Sequence, residues 1–309
     1  MPTDRQPARL EVRKTYKLYI GGSFPRSESG RTYVVTDAKD RFVANASRAS
    51  RKDARDAVVA ARKAFGGWSA RTPYNRGQVV YRIAEVLEGR RAQFADEVQA
   101  GEGVSKAVAA DTVSAAVDRL VWYAGWADKV AQVLGSTNPV SGPYFDFSTP
   151  EPTGVVAVVA PQASSLLGLV SVVAPVITTG NTCVIVTSFA RPVPAVTLAE
   201  VMATSDVPGG VVNVLTGDPA EVAPWLASHD DVNAIDLTGV TDPQLATELE
   251  VAAAGNLKRV LRASGVPVAS EGAAPSTQPG AEPDWSRDPG TARMTAFLET
   301  KTVWHPVGL

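Results

Sequence analysis

The sequence predicts an α/β protein built around a doubly wound parallel sheet, and two observations carry this prediction. From Gly154 onward, short β-branched runs alternate with segments that are each long enough for one helix. These runs are apolar throughout, which is typical of parallel strands covered by helices on both faces. The predicted strands are residues 155–160, 182–187, 211–215, 233–237 and 258–261. This pattern indicates a Rossmann-like, nucleotide-binding type of architecture.

The part before the sheet is predicted to be mainly helical. Ser50 and Asp53 have the spacing of a capping box, and apolar residues then recur at helical spacing until Gly66-Gly67, where we expect the helix to stop. A second helix is expected from Thr72-Pro73, because proline is favoured at the first helical position. A third stretch runs from about residue 105 to residue 129.

The chain after the sheet changes in composition. Residues 267–296 are broken by proline and glycine and offer almost nothing apolar to bury, so we expect a flexible linker. The stretch that follows, 297–309, is dense in strand-forming residues. A terminal strand is stable only when it pairs with a sheet edge of the same or another chain, so this arrangement suggests assembly.

Composition and charge exclude several classes of protein. The 309 residues include 30 Lys+Arg and 32 Asp+Glu, so no basic surplus draws the chain onto nucleic acid or anionic lipid. The longest apolar run, 166–177, is too short to span a bilayer. The first 17 residues lack the apolar block of a signal peptide. We therefore expect a cytoplasmic protein that binds neither nucleic acid nor membrane.

The metal-binding and nucleophilic side chains are few. Cys183 is the only cysteine, and His229 and His305 show no ligand spacing, so no metal site is expected. Cys183 lies in an apolar, β-prone run. It is therefore predicted to be a buried packing residue and not a nucleophile, since reactive thiols need exposure and positive neighbours.

Several motifs together resemble the NAD(P)-dependent aldehyde dehydrogenase superfamily. In family order they are KLYIGG (17–22), YAGWADK (123–129), EPTGVV (151–156), TGNT (179–182), PGGVVNVLTG (208–217) and NLKRV (256–260). The resemblance implies a chemistry in which a cysteine thiolate attacks the aldehyde and an Asn amide with a backbone N–H stabilises the oxyanion. Hydride then passes to NAD(P), and a Glu base promotes hydrolysis of the thioester.

The chain departs from this family at the positions of the residues that perform the family's chemistry. The family's Pro-Trp-Asn-Phe-Pro falls on residues 161–165, which puts Ala163 at the position of the oxyanion-hole Asn. Losing one such donor usually costs on the order of two to three decades in rate. The Glu of Glu-Leu-Gly-Gly falls on Ala263, and the segment with the nucleophilic cysteine is missing. The resemblance thus implies a shortened member that lacks the catalytic domain.

The cofactor-binding motifs of the family are also reduced. Ser188 is what remains of Lys-Pro-Ser-Glu at the ribose, and Gly217 begins a pyrophosphate turn whose second glycine has become Pro219. Proline removes a backbone donor and fixes φ, which disfavours close approach to a phosphate. Thr238 and Gly239 retain the turn of Phe-Thr-Gly-Ser. We regard Ser188, Gly217, Thr238 and Gly239 as vestigial, and expect no cofactor, or NAD or NADP only weakly.

An oligomerisation arm is the remaining family feature. Residues 297–304 resemble its last strand and residues 133–150 its hairpin; in the family the arm packs against the catalytic domain of a neighbouring subunit. The expected oligomerisation residues are Tyr144, Phe145, Phe147, Phe297, Leu298, Val303 and Trp304.

The leading hypothesis is a pseudoenzyme: a non-catalytic subunit that forms a hetero-oligomer with a full-length aldehyde dehydrogenase and supports or regulates it. An NAD(P)-dependent aldehyde oxidoreductase or a stand-alone nucleotide-binding module is the alternative, because such a sheet can bind dinucleotide through backbone groups. A decaying paralogue with no selected role also stays open. The expected organisation is an N-terminal strand and helical part of the nucleotide-type domain (1–132), an arm hairpin (133–150), a Rossmann-like part (151–266), a flexible linker (267–296) and an arm strand (297–309).

Overall fold

A computed structural model describes residues 13–262 and 282–307 of the chain. Its N-terminal part contains a small sheet, in the order β1-β3-β2, followed by helices. The strands are β1 (Thr15–Tyr16), β2 (Thr32–Thr36) and β3 (Phe42–Ser47). The helices are α1 (Arg51–Ser69), α2 (Pro73–Gly89), α3 (Arg91–Glu102), α4 (Lys106–Trp126) and α5 (Val130–Leu134). The expected capping box of Ser50 and Asp53 begins α1, and Thr72 caps α2.

Two strands, β4 (Ser136–Asn138) and β5 (Tyr144–Pro152), separate these helices from the central sheet. Within the described residues this sheet has five parallel strands in the order β10-β9-β6-β7-β8. The strands are β6 (Val155–Val159), β7 (Thr182–Val186), β8 (Val212–Leu215), β9 (Ala234–Asp236) and β10 (Arg259–Leu261). The helices between them are α6 (Leu167–Thr178), α7 (Val193–Ala203), α8 (Pro219–Ala227) and α9 (Pro243–Ala253).

Both faces of the central sheet are covered by helices. One face packs against α6 and α7, with α2 and α4 outside them, and the other face packs against α1, α8 and α9. All five strands fall on predicted apolar runs, with ends that differ by at most one residue. The predicted α/β fold class with a doubly wound parallel sheet is therefore confirmed.

The predicted arm is a separate three-stranded sheet. The short helix α10 (Ala292–Thr295) leads into β11 (Leu298–Pro306), which pairs antiparallel with β5 over nine residue pairs. β4 pairs with the other edge of β5. The terminal strand therefore finds its partner edge within its own chain, and β5 continues two residues beyond the predicted hairpin boundary of 150.

The first helix extends further than the sequence predicts. Gly66-Gly67 was expected to end α1, but the helix continues to Ser69. Trp68 explains the difference, because its side chain is buried in the core and its Nε1 donates a hydrogen bond to the carbonyl oxygen of Ile177 at 3.0 Å. Burying an aromatic side chain outweighs the cost of two helical glycines, about 1 kcal/mol each.

The predicted flexible linker is wrong over its second half. Residues 267–281 lie outside the described residues, but residues 282–296 are packed against the domain. Met294 and Arg293 are buried, and Arg119 of α4 donates hydrogen bonds to the carbonyl oxygens of Trp285 (2.8 Å) and Arg287 (2.9 Å). The segment has few apolar residues, but charged side chains supply many of its contacts with the domain.

The long apolar run of the sequence forms α6, which is buried along its whole length. It is a core helix, as predicted. In the described ranges 13–262 and 282–307, no helix combines the length and the apolar character needed to cross a lipid bilayer.

Candidate functional site

The carboxyl ends of the parallel strands meet at one edge of the central sheet, which we call the carboxyl edge. Open α/β sheets bind their ligands there. Each residue predicted as vestigial follows a strand: Ser188 follows β7, Gly217 follows β8, and Thr238 and Gly239 follow β9. Ala163 lies in the loop after β6, so the structure gathers these positions at one edge. Ala263, the position of the expected base, lies outside the described residues.

The loops after β6 and β7 are bonded to each other. The backbone oxygen of Gln162 accepts from the Ser188 hydroxyl at 2.9 Å, and its side-chain oxygen accepts from the N–H of Phe189 at 3.0 Å. Arg191 donates to the carbonyl oxygen of Gln162 at 3.2 Å and of Ala163 at 2.8 Å. The Ser188 hydroxyl, predicted as a remnant of the ribose site, therefore joins two loops of the chain.

Two backbone donors of the β6–α6 loop converge on a single carboxylate oxygen. The N–H of Ala163 donates to Oε1 of Glu282 at 2.7 Å, and the N–H of Gln162 donates to the same atom. Two convergent N–H groups are the arrangement that stabilises an oxyanion. Sequence reasoning missed Glu282, because its proline- and glycine-rich surroundings carry no signal for such a contact.

The turn after β8 is closed by groups of the chain itself. Gly217 has φ +143°, and a Cβ at this position would lie 3.3 Å from the backbone nitrogen of Ala49, which passes beside the turn. The side chain of Asp218 accepts from the N–H of Ala220 at 2.9 Å, and Pro219 has no N–H to offer. A carboxylate thus caps the N-terminus of α8.

A buried ion pair lies at the end of β9. Nη1 of Arg293 is 2.7 Å from Oδ2 of Asp236, with side-chain exposures of 5% and 0%, and Nη2 donates to the Thr238 hydroxyl at 2.9 Å. Thr238 also donates its N–H to Asp236 at 2.9 Å. The sequence contains one indication of this ion pair: Asp236 is a lone carboxylate in an apolar strand, and such a group needs a partner when it is buried. Its partner lies in the segment expected to be a linker.

Gly239 allows the loop after β9 to lie directly against β6. Its N–H donates to the carbonyl oxygen of Val159 at 3.0 Å, and a Cβ there would clash with the carbonyl oxygen of Ala160. The glycine is therefore required by a close backbone approach within the fold.

Cys183 lies in the middle of the core and has no exposed surface. Burial raises the pKa of its thiol well above the ordinary value, which keeps it protonated. Its predicted role as a packing residue is confirmed. Across residues 13–262 and 282–307, no three His, Cys, Asp or Glu side chains cluster in a way that could hold a metal ion.

The arm exposes part of the predicted oligomerisation set. Tyr144, Phe145 and Trp304 expose 45%, 50% and 58% of their surface. Tyr144 contacts Trp304 edge to face with ring centroids 5.7 Å apart, and Phe145 lies 5.6 Å from Phe147. Val303, opposite Phe147 in the ladder, is half-buried. Aromatic side chains therefore occur at the free end of the β5–β11 ladder.

Two members of that set belong to the core. Phe297 and Leu298 are buried in the main hydrophobic cluster, so they cannot contact another subunit, contrary to the prediction. The reason is local, since the carbonyl oxygen of Phe297 accepts from the Asn181 side chain at 2.9 Å and from the N–H of Thr153 at 3.2 Å. These bonds hold the start of β11 against the sheet.

The doubly wound parallel sheet, its carboxyl edge and the three-stranded β arm define the class of this protein as a Rossmann-like α/β domain. The model of the aldehyde dehydrogenase family matches residues 24–266. The chain therefore belongs to the aldehyde dehydrogenase family, which confirms the resemblance.

Individual relatives agree with this assignment. Retinal dehydrogenase 2 of Gallus gallus is 34% identical over 257 residues, which cover 81% of this chain and 48% of the relative. Aldehyde dehydrogenase, cytosolic 1, of Elephantulus edwardii is 31% identical over 250 residues, covering 79% and 49%. The structure of an aldehyde dehydrogenase from Bacillus cereus in complex with NAD+ superposes with a TM-score of 0.76 at 27% identity, covering 81% and 51%. The chain spans about half the length of the curated relatives it matches.

Proposed function

We propose that the chain is a non-catalytic subunit that assembles with a full-length aldehyde dehydrogenase through its arm and supports or regulates that enzyme. The observation that carries the proposal is the group of exposed aromatic side chains at the free end of the arm, with Tyr144 and Trp304 on one face of the β5–β11 ladder and Phe145 on the other. Aromatic side chains are enriched in protein interfaces, and exposed apolar clusters mark interaction sites. In the family, an arm of this kind packs against the catalytic domain of a neighbouring subunit. In the sequence of this chain, β10 and β11 are separated by residues 262–297 only.

The proposed absence of catalysis is supported by two positions. Ala163, where the family places its oxyanion-hole Asn, has no side-chain donor. Cys183 has no exposed surface and a raised pKa, whereas a nucleophilic cysteine needs an accessible thiolate.

The carboxyl edge is also a poor fit to a dinucleotide. A pyrophosphate favours free N–H groups and positive charge at a helix N-terminus, but α8 is capped by Asp218, begins with Pro219 and carries Glu221 in its first turn. At the position of the family's ribose clamp, Phe189 stacks on Tyr33 with ring centroids 4.7 Å apart. We propose that neither NAD nor NADP binds saturably below millimolar concentration.

Co-expression with the full-length aldehyde dehydrogenases of the same organism tests the assembly. We expect the wild-type chain to co-elute with one of them in size-exclusion chromatography. The double variant Tyr144→Ala/Trp304→Ala should lose this co-elution, because it removes the edge-to-face pair at the end of the arm. The matched control is Tyr74→Ala on α2, an aromatic that is 67% exposed away from the arm, and it should assemble normally.

Two results would contradict the proposal. One is a wild-type chain that remains a monomer or a pure homo-oligomer with every candidate enzyme. The other is an arm variant that co-elutes as the wild type does, which would show that another surface makes the contact.

The alternative, an NAD(P)-dependent oxidoreductase or a nucleotide-binding module, is supported by the carboxyl edge of the parallel sheet, where such proteins bind dinucleotides. Calorimetric titration with NAD and NADP separates the two functions. Saturable binding in the micromolar range would favour the alternative.

The relative from Elephantulus edwardii is named cytosolic, which supports a cytoplasmic location for this chain.

A further inference from the structure

Residues 282–297 form a segment that we call the strap. The strap starts at the carboxyl edge, where Glu282 meets the β6–α6 loop, and continues past α6 to Phe297, which bonds to Thr153 just before β6. It therefore reaches from one end of the central sheet to the other and connects the domain to the arm strand β11.

Besides the hydrogen bonds that Phe297 accepts, three contacts of charged side chains hold the strap in place. Glu282 accepts the two N–H groups of the β6–α6 loop, Arg119 binds two strap carbonyl oxygens while also donating to the Ser171 hydroxyl at 2.7 Å, and Arg293 pairs with Asp236. The Arg293 contact is buried, and the Arg119 contacts with the strap are partly buried. The Glu282 contact differs, because Ala163 is exposed and Glu282 is only half-buried, so solvent reaches this end of the strap.

We propose that the N–H groups of Gln162 and Ala163 form a carboxylate-binding site, which Glu282 occupies in cis and thereby holds the strap closed over the carboxyl edge. Both donors point at one oxygen, Oε1, as they would at a bound anion. The guanidinium of Arg191 donates to the carbonyl oxygen of Ala163 at 2.8 Å, which adds positive charge beside the same loop. The second carboxylate oxygen lies 3.4 Å from Nε1 of Trp285.

The ligand class follows from the size of the group. Replacing Glu282 by alanine removes a CH2COO⁻ unit and leaves a space that matches acetate, with the donors and the positive charge in place. The strap should remain attached in this variant, because Arg119 and Arg293 are unchanged. A small carboxylate supplied from solution should then take the place of the side chain.

Amide hydrogen exchange of the full chain tests this site. In Glu282→Ala we expect the amides of Gln162 and Ala163 to exchange about ten- to a hundredfold faster, as the loss of charge-assisted hydrogen bonds implies. Sodium acetate at about 100 mM should restore most of the protection, whereas sodium chloride at the same ionic strength should not. The matched control is Glu85→Ala, which removes an exposed glutamate paired with Arg82 and should leave both amides unchanged.

Clear outcomes overturn the inference. Unchanged exchange in Glu282→Ala, or equal protection by acetate and chloride, would show that the loop does not select a carboxylate. If Glu282→Ala does not fold, Glu282→Gln carries the test: it keeps a neutral acceptor, and exchange as slow as in the wild type overturns the proposal. Assembly is not measured, so this result is independent of the proposed subunit function.

Discussion

Replacing Arg293 by glutamine should be among the most destabilising single changes at the carboxyl edge. Arg293 is the cation that lies against the Asp236 carboxylate, and both side chains are almost completely buried. Removing one partner of a buried pair leaves an uncompensated charge and typically costs about 3–5 kcal/mol. Thr238 still donates its N–H and hydroxyl to Asp236, so we expect a loss near 3 kcal/mol, the lower end of that range.

Urea unfolding at neutral pH measures this loss, with the slope of the transition serving as a check that the unfolded state is unchanged. The matched control is Arg259→Gln, which breaks an exposed pair with Glu299 whose side chains are 43% and 53% exposed. Exposed pairs contribute at most about 1 kcal/mol. The double variant Asp236→Asn/Arg293→Gln should regain part of the loss, because it removes the isolated charge. A loss below about 1 kcal/mol in Arg293→Gln would refute the reasoning.

Three further changes have clear expected outcomes. Gly239→Ala should lower the free energy of unfolding, measured by thermal unfolding, by about 1–3 kcal/mol or more, because the added Cβ would clash with the carbonyl oxygen of Ala160. A decrease of less than about 0.5 kcal/mol would contradict this prediction. Burial raises the pKa of the Glu97 carboxyl above its ordinary value of 4.5, so the folded chain binds its proton more tightly than the unfolded chain does. Stability should therefore fall as the pH rises from 4.5 through the folded pKa. In urea titrations at several pH values, Glu97→Gln should remove this contribution to the fall, and an unchanged pH profile would contradict the prediction. Cys183 should react with a thiol reagent at least about a thousandfold more slowly in the native chain than in urea, and rapid native labelling would contradict its burial.

The strands of the central sheet could be predicted because their signal is local. A parallel strand that is covered on both faces must be apolar at every position, so each of the five runs is visible without knowledge of its neighbours. The end of α1 could not be predicted in the same way. Gly66-Gly67 is a local stop signal, and the burial of Trp68 against the carbonyl oxygen of Ile177 overrides it from more than a hundred residues away in sequence.

The location of the candidate site could be predicted from the sequence, but the contacts that its residues make could not. Motif order placed Ser188, Gly217, Thr238 and Gly239 after strands, and parallel strands bring such residues to one edge. The partners of these residues were not predictable, since Ser188 bonds to Gln162 and Thr238 bonds to Arg293 of the strap. The composition of residues 282–296 predicts a linker, because composition does not reveal which isolated charge will find a buried partner.

The sequence by itself determined the α/β class, the strand positions, the family and the absence of an accessible nucleophile at Cys183, since these depend on local apolar patterns and motif order. Only the tertiary structure decided that Glu282 and Arg293 cover the carboxyl edge, that Phe297 and Leu298 are core residues, and that Tyr144 and Trp304 remain exposed. The physical reason is that hydrogen bonds and ion pairs are directional contacts between residues distant in sequence. Their partners are chosen by the geometry of the folded chain.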